Sequence, residues 1–390
     1  MKICDLALYS PETRSGVRTY INNKISYINA RAEPIDHLVI VPAEEEKVVH
    51  VGRSRIHYIP GVRTFYPKTR IALNIWKAAK IVEKEAPDLI EVNCQFTLPW
   101  AAFLATRNTR APVVGVYHTD YPACVACLTK SWGGPISSML ESLALFYVGL
   151  IYRHFTSTFI MSDAMTERLR GVGVRRIERL SRGVDTAIFN RNRRDPNFRK
   201  RLGITPGKKI LLYVGRLSRE KEIDLLLRAF EFLPAQKYNL LIIGDGPEAD
   251  EVKRYSSLNP AVKYLGHYDS PIDLAGAYAS ADVFVMPGRY ETFGMATVEA
   301  LACGLPAVGI EGCGSAEIIS PQVGALARPG DPCDLAQKIS VVARWSGDSI
   351  RGDCQEHASA RYSWDNVFRD YFRIYHRLLG ESGLFQKTSI

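Results

Sequence analysis

Two glutamates eight residues apart, Glu291 and Glu299, bracket a change from strand to helix. The apolar run 283–286 stops at Pro287-Gly288, and a helical pattern opens behind Thr292-Phe293-Gly294. That spacing sets one carboxylate at the helix mouth and the other about two turns down, so both can reach one bound molecule. The backbone N–H groups of Phe293, Gly294 and Met295 lie at the helix N-terminus, which suits hydroxyls or phosphate oxygens. Earlier, the strand 209–214 runs into Gly215-Arg216-Leu217-Ser218-Arg219-Glu220-Lys221, with a helix beginning near 222. A guanidinium at Arg216 can grip phosphate in two-pronged fashion, and the Lys221 ammonium adds a point charge beside the helix end. A further strand, 239–243, leaves through Gly244-Asp245-Gly246-Pro247. In the first half, His118 follows the buried strand 112–117 directly, a loop position open to substrate. Gly16 ends the loop after strand 2–8, where the backbone can come close to a ligand and the next helix favours an anion.

The elements that hold these residues alternate. Strands are expected at 2–8, 37–41, 48–51, 56–59, 88–92, 112–117 and 157–161, and helices from near 17 and at 71–85, 98–106, 132–155 and 163–170. After residue 207 come strands at 209–214, 239–243, 262–265, 283–286 and 306–310, and helices at 222–230, from 248, at 331–345 and at 364–379. Such alternation predicts α/β domains with parallel, doubly wound sheets whose ligands sit at the strands' carboxyl ends. A chain of 390 residues accommodates two of them. We expect domains at 1–183 and 207–362, a linker at 184–206 rich in Gly, Pro, Asn and charge, and a closing segment 363–390.

Composition narrows the class. The 46% hydrophobic and 23% charged content is that of a soluble globular protein. Eight cysteines scattered along the chain suit a reducing cytoplasm, and Cys124-x-x-Cys127 stands alone without a second pair at zinc spacing. The first residues lack a signal-peptide pattern, and the apolar stretch 140–152 is read as a core helix. The net charge is +9, and twelve Lys/Arg between 168 and 201 against three acids account for all of it. This window reads either as a solvated linker or as a cationic patch for phosphates or an anionic membrane surface. Interleaved aromatics and a nucleic-acid module are missing from it, so nucleic acid is not an expected partner.

Taken together, VFVMPGRYETFG and VEALACGLPAV resemble the Glu-x7-Glu signature of family-4 retaining glycosyltransferases. Gly215-Arg216-Leu217 with Lys221 resembles that family's diphosphate clamp, with Glu222 where glycine is usual. VYHTDYP resembles a loop of bacterial transferases that build mannosyl or glucosyl lipids and phospho-sugars, and GVD followed by Phe189 resembles the family's crossing between domains. Ser15-Gly16 stands where the family often has two glycines.

The resemblance implies a GT-B fold, two Rossmann-like domains facing across a cleft, with the last helix packed back on the first domain. It implies a hexosyl unit moved from a nucleoside-diphosphate sugar (GDP-mannose or UDP-glucose type) to a sugar, lipid or phospho-sugar acceptor. No metal or other cofactor is expected, and the site would be cytoplasmic, peripheral on the inner membrane face. Arg216 and Lys221 would stabilise the leaving diphosphate, Glu291 would hold sugar hydroxyls, and His118 would touch the transferred sugar. Gly16, Gly215, Gly244, Phe293, Gly294, Met295 and Glu299 would bind the donor, Glu299 through its ribose. Two other classes remain open: a sugar-nucleotide epimerase on the same fold, and a non-enzymatic protein that binds membranes or polyanions through 168–201.

Overall fold

A computed structural model of the chain describes residues 1–9, 15–63, 70–107, 109, 111–129, 132–291, 293–345 and 347–382, without the side chains of Cys127 and Ala164. The chain divides into two compact units: residues 1–181 together with the helix Trp364–Glu381, and residues 182–363.

Strands of the first unit are β1 (Lys2–Ala7), β2 (Asp36–Ala43), β3 (Lys47–Val51), β4 (Ser54–Pro60), β5 (Val62–Arg63), β6 (Arg70–Ile71), β7 (Leu89–Asn93), β8 (Val113–Val116), β9 (Ser157–Ile160) and β10 (Ile177–Arg179). Eight of them form a sheet in the order β10-β9-β8-β7-β1-β2-β4-β3, while β5 and β6 pair as a separate ribbon. All neighbours in the sheet run parallel except the β3–β4 edge. Parallel strands covered on both faces have no polar face, and β1, β2 and β7–β9 are accordingly almost wholly buried. The order reverses between β1 and β7, so the carboxyl ends of β1, β7 and β8 surround the crevice where such sheets take ligands. The closing helix Trp364–Glu381 packs its Phe368, Tyr371 and Tyr375 against Tyr20 and Tyr27 of the helix Gly16–Ala30 and against Phe159.

The second unit holds β11 (Lys209–Val214), β12 (Tyr238–Ile243), β13 (Val262–Tyr264), β14 (Val283–Val285), β15 (Ala307–Ile310) and β16 (Gly324–Ala327). Their order, β13-β12-β11-β14-β15-β16, is all parallel and is that of a dinucleotide-binding sheet, reversing between β11 and β14. Leu211, Tyr213, Leu226, Phe230, Leu240, Val285, Val308 and Leu335 lie in one apolar core on a face of it.

Four expectations need correction. The helix expected over 132–155 is present as Gly134–Tyr152, but an unexpected helix stands ahead of it, so the region holds two, Tyr121–Thr129 and Gly134–Tyr152. Asp120 starts the first: its Oδ1 accepts from the Ala123 N–H at 3.3 Å, with Pro122 in the opening turn, so Asp120-Tyr121-Pro122 is a helix start rather than a loop. The helix expected from 71 begins at Ile75, because the Asn74 side chain accepts from the Lys77 N–H. Residues 184–206 lie within the second unit, where Val184, Phe189, Phe198 and Ile204 are buried, so their density of charge does not make them a linker. Finally, the helix Gly134–Tyr152 is a core helix only in part: Val148, Ile151 and Tyr152 near its end lie in the core, while its opposite face is bare. It is 19 residues long, only 22% of its apolar window is buried, and Ile136, Met139, Leu143 and Phe146 are 47–65% exposed. With exposed Trp132 ahead of it, these residues repeat at steps of four, three, four and three, which is one face of a helix. By length and composition this helix could cross a membrane.

Candidate active site

In the second unit the functional side chains gather where the strand order reverses. The loop leaving β11 and the loop leaving β14 meet there: Lys221 Nζ donates to Glu291 Oε2 at 2.5 Å. Glu291 is fixed from the other side, since its carbonyl accepts from the Gly314 N–H at 2.7 Å. The side chains of Lys221 and Glu291 keep 23% and 13% of their surface exposed, so water and ligand can reach the pair. Arg216 is exposed and lines a cavity of about 550 Å³ with Gly215, Gly244, Asp245, His267 and Tyr268. Cations, a helix end and an accessible carboxylate at the exits of the neighbouring strands β11 and β14 are groups that can bind an anion and the hydroxyls attached to it.

Glu222 occupies the helix-start position with φ +48°, a left-handed conformation that costs a non-glycine residue about 1 kcal/mol. Its carboxylate accepts from the Arg289 N–H at 2.9 Å and from Arg289 Nε at 2.7 Å. That side chain therefore ties the β11 loop to the β14 loop, two residues ahead of Glu291.

Glu299 sits on the helix Met295–Ala302, where the Tyr278 hydroxyl donates to its Oε2 at 3.2 Å. Burial pushes its carboxyl up to about 7, with the Tyr278 bond pulling the other way. Gly294, at φ +99°, turns the chain into this helix, and Met295 is its half-buried first residue. Phe293 points inward: it is 5% exposed and meets the Tyr362 ring edge-on at 6.0 Å. The Phe293 side chain is a packing residue, which leaves only its backbone for a ligand. Gly244 also has a structural reason to be glycine. A Cβ there would lie 1.8 Å from the Gly215 carbonyl oxygen, so the approach of two loops demands it.

In the first unit His118 follows β8, and its Nε2 lies 2.6 Å from Asn93 Oδ1 at the end of β7. The Tyr20 ring stands edge-on to it at 5.5 Å. The neighbouring Asp120 accepts from the Tyr117 hydroxyl and pairs with Arg168 at 2.9 Å, a structural role. Gly16 is the first residue of the helix Gly16–Ala30, capped by Ser15 Oγ accepting from the Arg18 N–H at 3.2 Å. Residues 10–14 of the same loop lie outside the described residues, as does Thr292.

Behind His118 lies a network that the sequence reading missed. Asp5, Lys24, His37 and Glu91 are all fully buried, and Asn93 nearly so. Lys24 Nζ is 2.9 Å from Asp5 Oδ1 and 3.3 Å from Glu91 Oε1; His37 Nε2 is 2.6 Å from Asp5 Oδ2. The Tyr20 hydroxyl donates to Glu91 Oε1 at 2.9 Å, and the Tyr375 hydroxyl donates to Oε2. Burial pushes Asp5 up, but Lys24 and His37 outweigh it and hold the carboxyl well below its usual range. Burial lowers His37, which keeps it neutral, and raises Glu91 to about 7 against the pull of Lys24. The available signal was one acid in each of two mostly apolar buried strands, Asp5 in KICDLA and Glu91 in LIEVN.

Half of the twelve basic residues of the window 168–201 are paired in the structure. Arg168, Arg170, Arg176, Arg179, Arg199 and Arg201 all face carboxylates. Arg193 donates to the carbonyls of Ala187 and Ile188.

Comparison with known proteins gives the same fold and chemistry. Residues 14–188 match the model of Glycosyltransferase Family 4, and residues 194–346 that of Glycosyl transferases group 1. A GDP-mannose-dependent alpha-(1-6)-phosphatidylinositol dimannoside mannosyltransferase of Mycobacterium tuberculosis is 35% identical over 374 residues, 94% of each chain. A GDP-mannose-dependent alpha-mannosyltransferase of Corynebacterium glutamicum is 28% identical over 90% of this chain and 81% of its own. Sucrose-phosphate synthase from Thermosynechococcus elongatus superposes with a TM-score of 0.73 at 21% identity, covering 97% of this chain and 99% of its own. With parallel sheets in both units and relatives that match along nearly its whole length, the chain belongs to the family-4 glycosyltransferases and is an enzyme of the GT-B fold.

Proposed function

We propose that the protein transfers a hexosyl unit, with retention of anomeric configuration and without a metal, from a nucleoside-diphosphate sugar of the GDP-mannose or UDP-glucose type to an acceptor hydroxyl. The observation that carries this reading is the Lys221–Glu291 pair at the strand-order reversal, beside the cavity lined by Arg216. Transfer breaks the bond between the anomeric carbon and the diphosphate oxygen, and negative charge grows on the leaving group. Arg216, Lys221 and the N–H groups at the start of Met295–Ala302 are the groups that stabilise that charge. Glu291 exchanges its hold on Lys221 for sugar hydroxyls, and Glu299 accepts from the ribose. His118 contacts the transferred sugar, while the leaving phosphate oxygen takes the acceptor proton.

The acceptor is a lipid or phospho-sugar at a membrane surface. Two relatives support this by name: the phosphatidylinositol dimannoside mannosyltransferase, and an alpha-monoglucosyldiacylglycerol synthase of Streptococcus pneumoniae that is 27% identical over 77% of this chain. The exposed stripe Trp132, Ile136, Met139, Leu143 and Phe146 gives such a surface something apolar to hold. Because six of the arginines of 168–201 already face carboxylates, apolar insertion takes precedence over charge attraction. A panel of GDP-, UDP- and ADP-sugars in thermal-shift assays, followed by product analysis with lipid and phospho-sugar acceptors, tests the reading. One donor should raise the melting temperature and yield a glycosylated acceptor. Turnover of the donor sugar into its epimer without any acceptor would replace transferase by epimerase.

A further inference from the structure

Glu299 is held from one side only. Tyr278, on the helix Pro271–Ser280, donates its hydroxyl to Glu299 Oε2 at 3.2 Å across twenty-one positions of sequence. Among the described residues no group donates to Oε1, and Glu299 is only half-buried, so that oxygen is open to a ligand.

The phenol is fixed more firmly than the carboxylate it meets. Tyr278 is fully buried, and its ring lies edge-on to Phe189 at 6.2 Å and to Phe284 of β14 at 5.8 Å. Burial, with the Glu299 carboxylate adding to it, pushes the phenol well above its usual range, so the hydroxyl keeps its proton. An ionised carboxylate only accepts, and Tyr278 is therefore the donor of the pair. A glutamate left alone turns about its side-chain bonds, and a ligand that needs one orientation must first select it. Pinning Oε2 to a rigid phenol makes that selection before the ligand arrives. Only one acceptor site of Oε2 is taken. Both sites of Oε1 and one of Oε2 remain for the two neighbouring hydroxyls of a ribose.

We propose that Tyr278 is a positioning residue, which sets the Glu299 carboxylate to accept from both ribose hydroxyls of the nucleotide donor. This rests on the reading of Glu299 as the ribose contact. Phe189 and Phe284 act one step behind, by holding the phenol in place. Phe189 thereby gains a part in the donor site, although it lies in a stretch whose composition suggested only a connection between domains. A hydroxyl that merely found a partner in the core would be indifferent to the hydroxyls of a ligand.

Calorimetry with GDP, UDP and ADP, each beside a counterpart that lacks both ribose hydroxyls, reads this contact without turnover. For the base it prefers, the wild type should bind the intact diphosphate roughly a hundredfold more tightly than the counterpart, as expected for two hydrogen bonds to a charged group. Tyr278→Phe keeps the ring and should melt close to wild type. Its ratio should drop to roughly tenfold, and its donor KM should rise by more than its kcat falls. A lower melting temperature with an unchanged ratio makes the hydroxyl a core contact only and overturns the proposal. If Tyr278→Phe does not fold, Phe189→Leu decides in its place, since it keeps the hydroxyl and loosens the ring: a smaller ratio supports the proposal, and an unchanged one overturns it. A wild type that ignores the ribose hydroxyls yet turns a donor over also overturns it, and leaves the transferase reading standing. A wild type that binds none of the three diphosphates and turns over no donor takes both down.

Discussion

Exchanging Glu299 for glutamine separates what its carboxyl costs the fold from what it gives the donor. The group titrates near 4.5 when free in an unfolded chain, and burial raises it to about 7 in the folded one. Between those values the folded protein keeps a proton that the unfolded chain has released. Stability therefore falls as pH climbs from about 4.5 to about 7 and is level above. At about 1.4 kcal/mol per unit the loss reaches about 3 kcal/mol, a ceiling because the residue is only half-buried. Glu299→Gln removes the ionising group. Urea unfolding should show the variant equal to wild type near pH 4 and more stable by up to about 3 kcal/mol near pH 8. Ribose hydroxyls that donate to this carboxyl favour its charged form. Donor binding at about pH 6.5 should then release part of a proton, read as a dependence of the calorimetric enthalpy on the buffer. In Glu299→Gln that release should vanish and donor affinity should fall. A variant no more stable than wild type near pH 8, or proton uptake on donor binding, would refute the reasoning.

Arg216→Ala and Lys221→Ala should each lower kcat/KM by the equivalent of about 2–4 kcal/mol while melting like wild type, since both side chains are accessible at element ends; near-normal turnover in both sinks the clamp. Lys24→Met leaves Asp5 and Glu91 buried without their cation and should destabilise by about 3–5 kcal/mol in urea unfolding; a loss below about 1 kcal/mol would contradict the account of that network. Leu143→Ser and Phe146→Ser should leave the melting temperature alone, because both side chains are exposed. Each should weaken pelleting with vesicles by roughly tenfold, with little effect of salt, given about 1.5–3 kcal/mol per fully inserted side chain. Equal pelleting of the variants and wild type would remove the stripe from any role at a membrane.

What the sequence disclosed and what it hid follow from how far apart the interacting residues lie. The strand, loop and helix around Glu291 and Glu299 are one continuous stretch, and the turn at Pro287-Gly288 and the exit at Gly304-Leu305-Pro306 mark it out locally. Lys221 and Glu291 are seventy positions apart, yet both leave adjacent parallel strands, so the topology that alternation predicts brings them together. The helix Gly134–Tyr152 shows the opposite case. Apolar residues at steps of four and three mark a face, but the same pattern serves a core and a surface, and only the packed structure shows that this face is bare. Asp5, Lys24, Glu91 and Tyr375 were hidden for another reason. Nothing local announces that a lysine on the first helix and a tyrosine on the last meet two acids inside one sheet.

The two ionisable clusters are built for opposite uses. In the first unit Asp5, Lys24 and Glu91 are dry, each satisfied by several partners, and removing Lys24 leaves two buried acids without their cation in a medium that cannot solvate a charge. Such a cluster cannot trade partners with a ligand, because each exchange would strand a buried charge; it can only hold its neighbours still. In the second unit Lys221 and Glu291 form a single contact that water reaches, so parting them costs on the order of 1 kcal/mol. A phosphate offered to Lys221 and a hydroxyl offered to Glu291 replace that contact with two new ones. The loops that carry the pair need not move, since Glu222 and Arg289 tie them together through the backbone. The strained conformation of Glu222 is the cost of that tie. Glycine at the same position would relieve the strain but leave Arg289 without this carboxylate, and the spacing between Lys221 and Glu291 would then rest on their own contact and on the Gly314 bond to the Glu291 carbonyl.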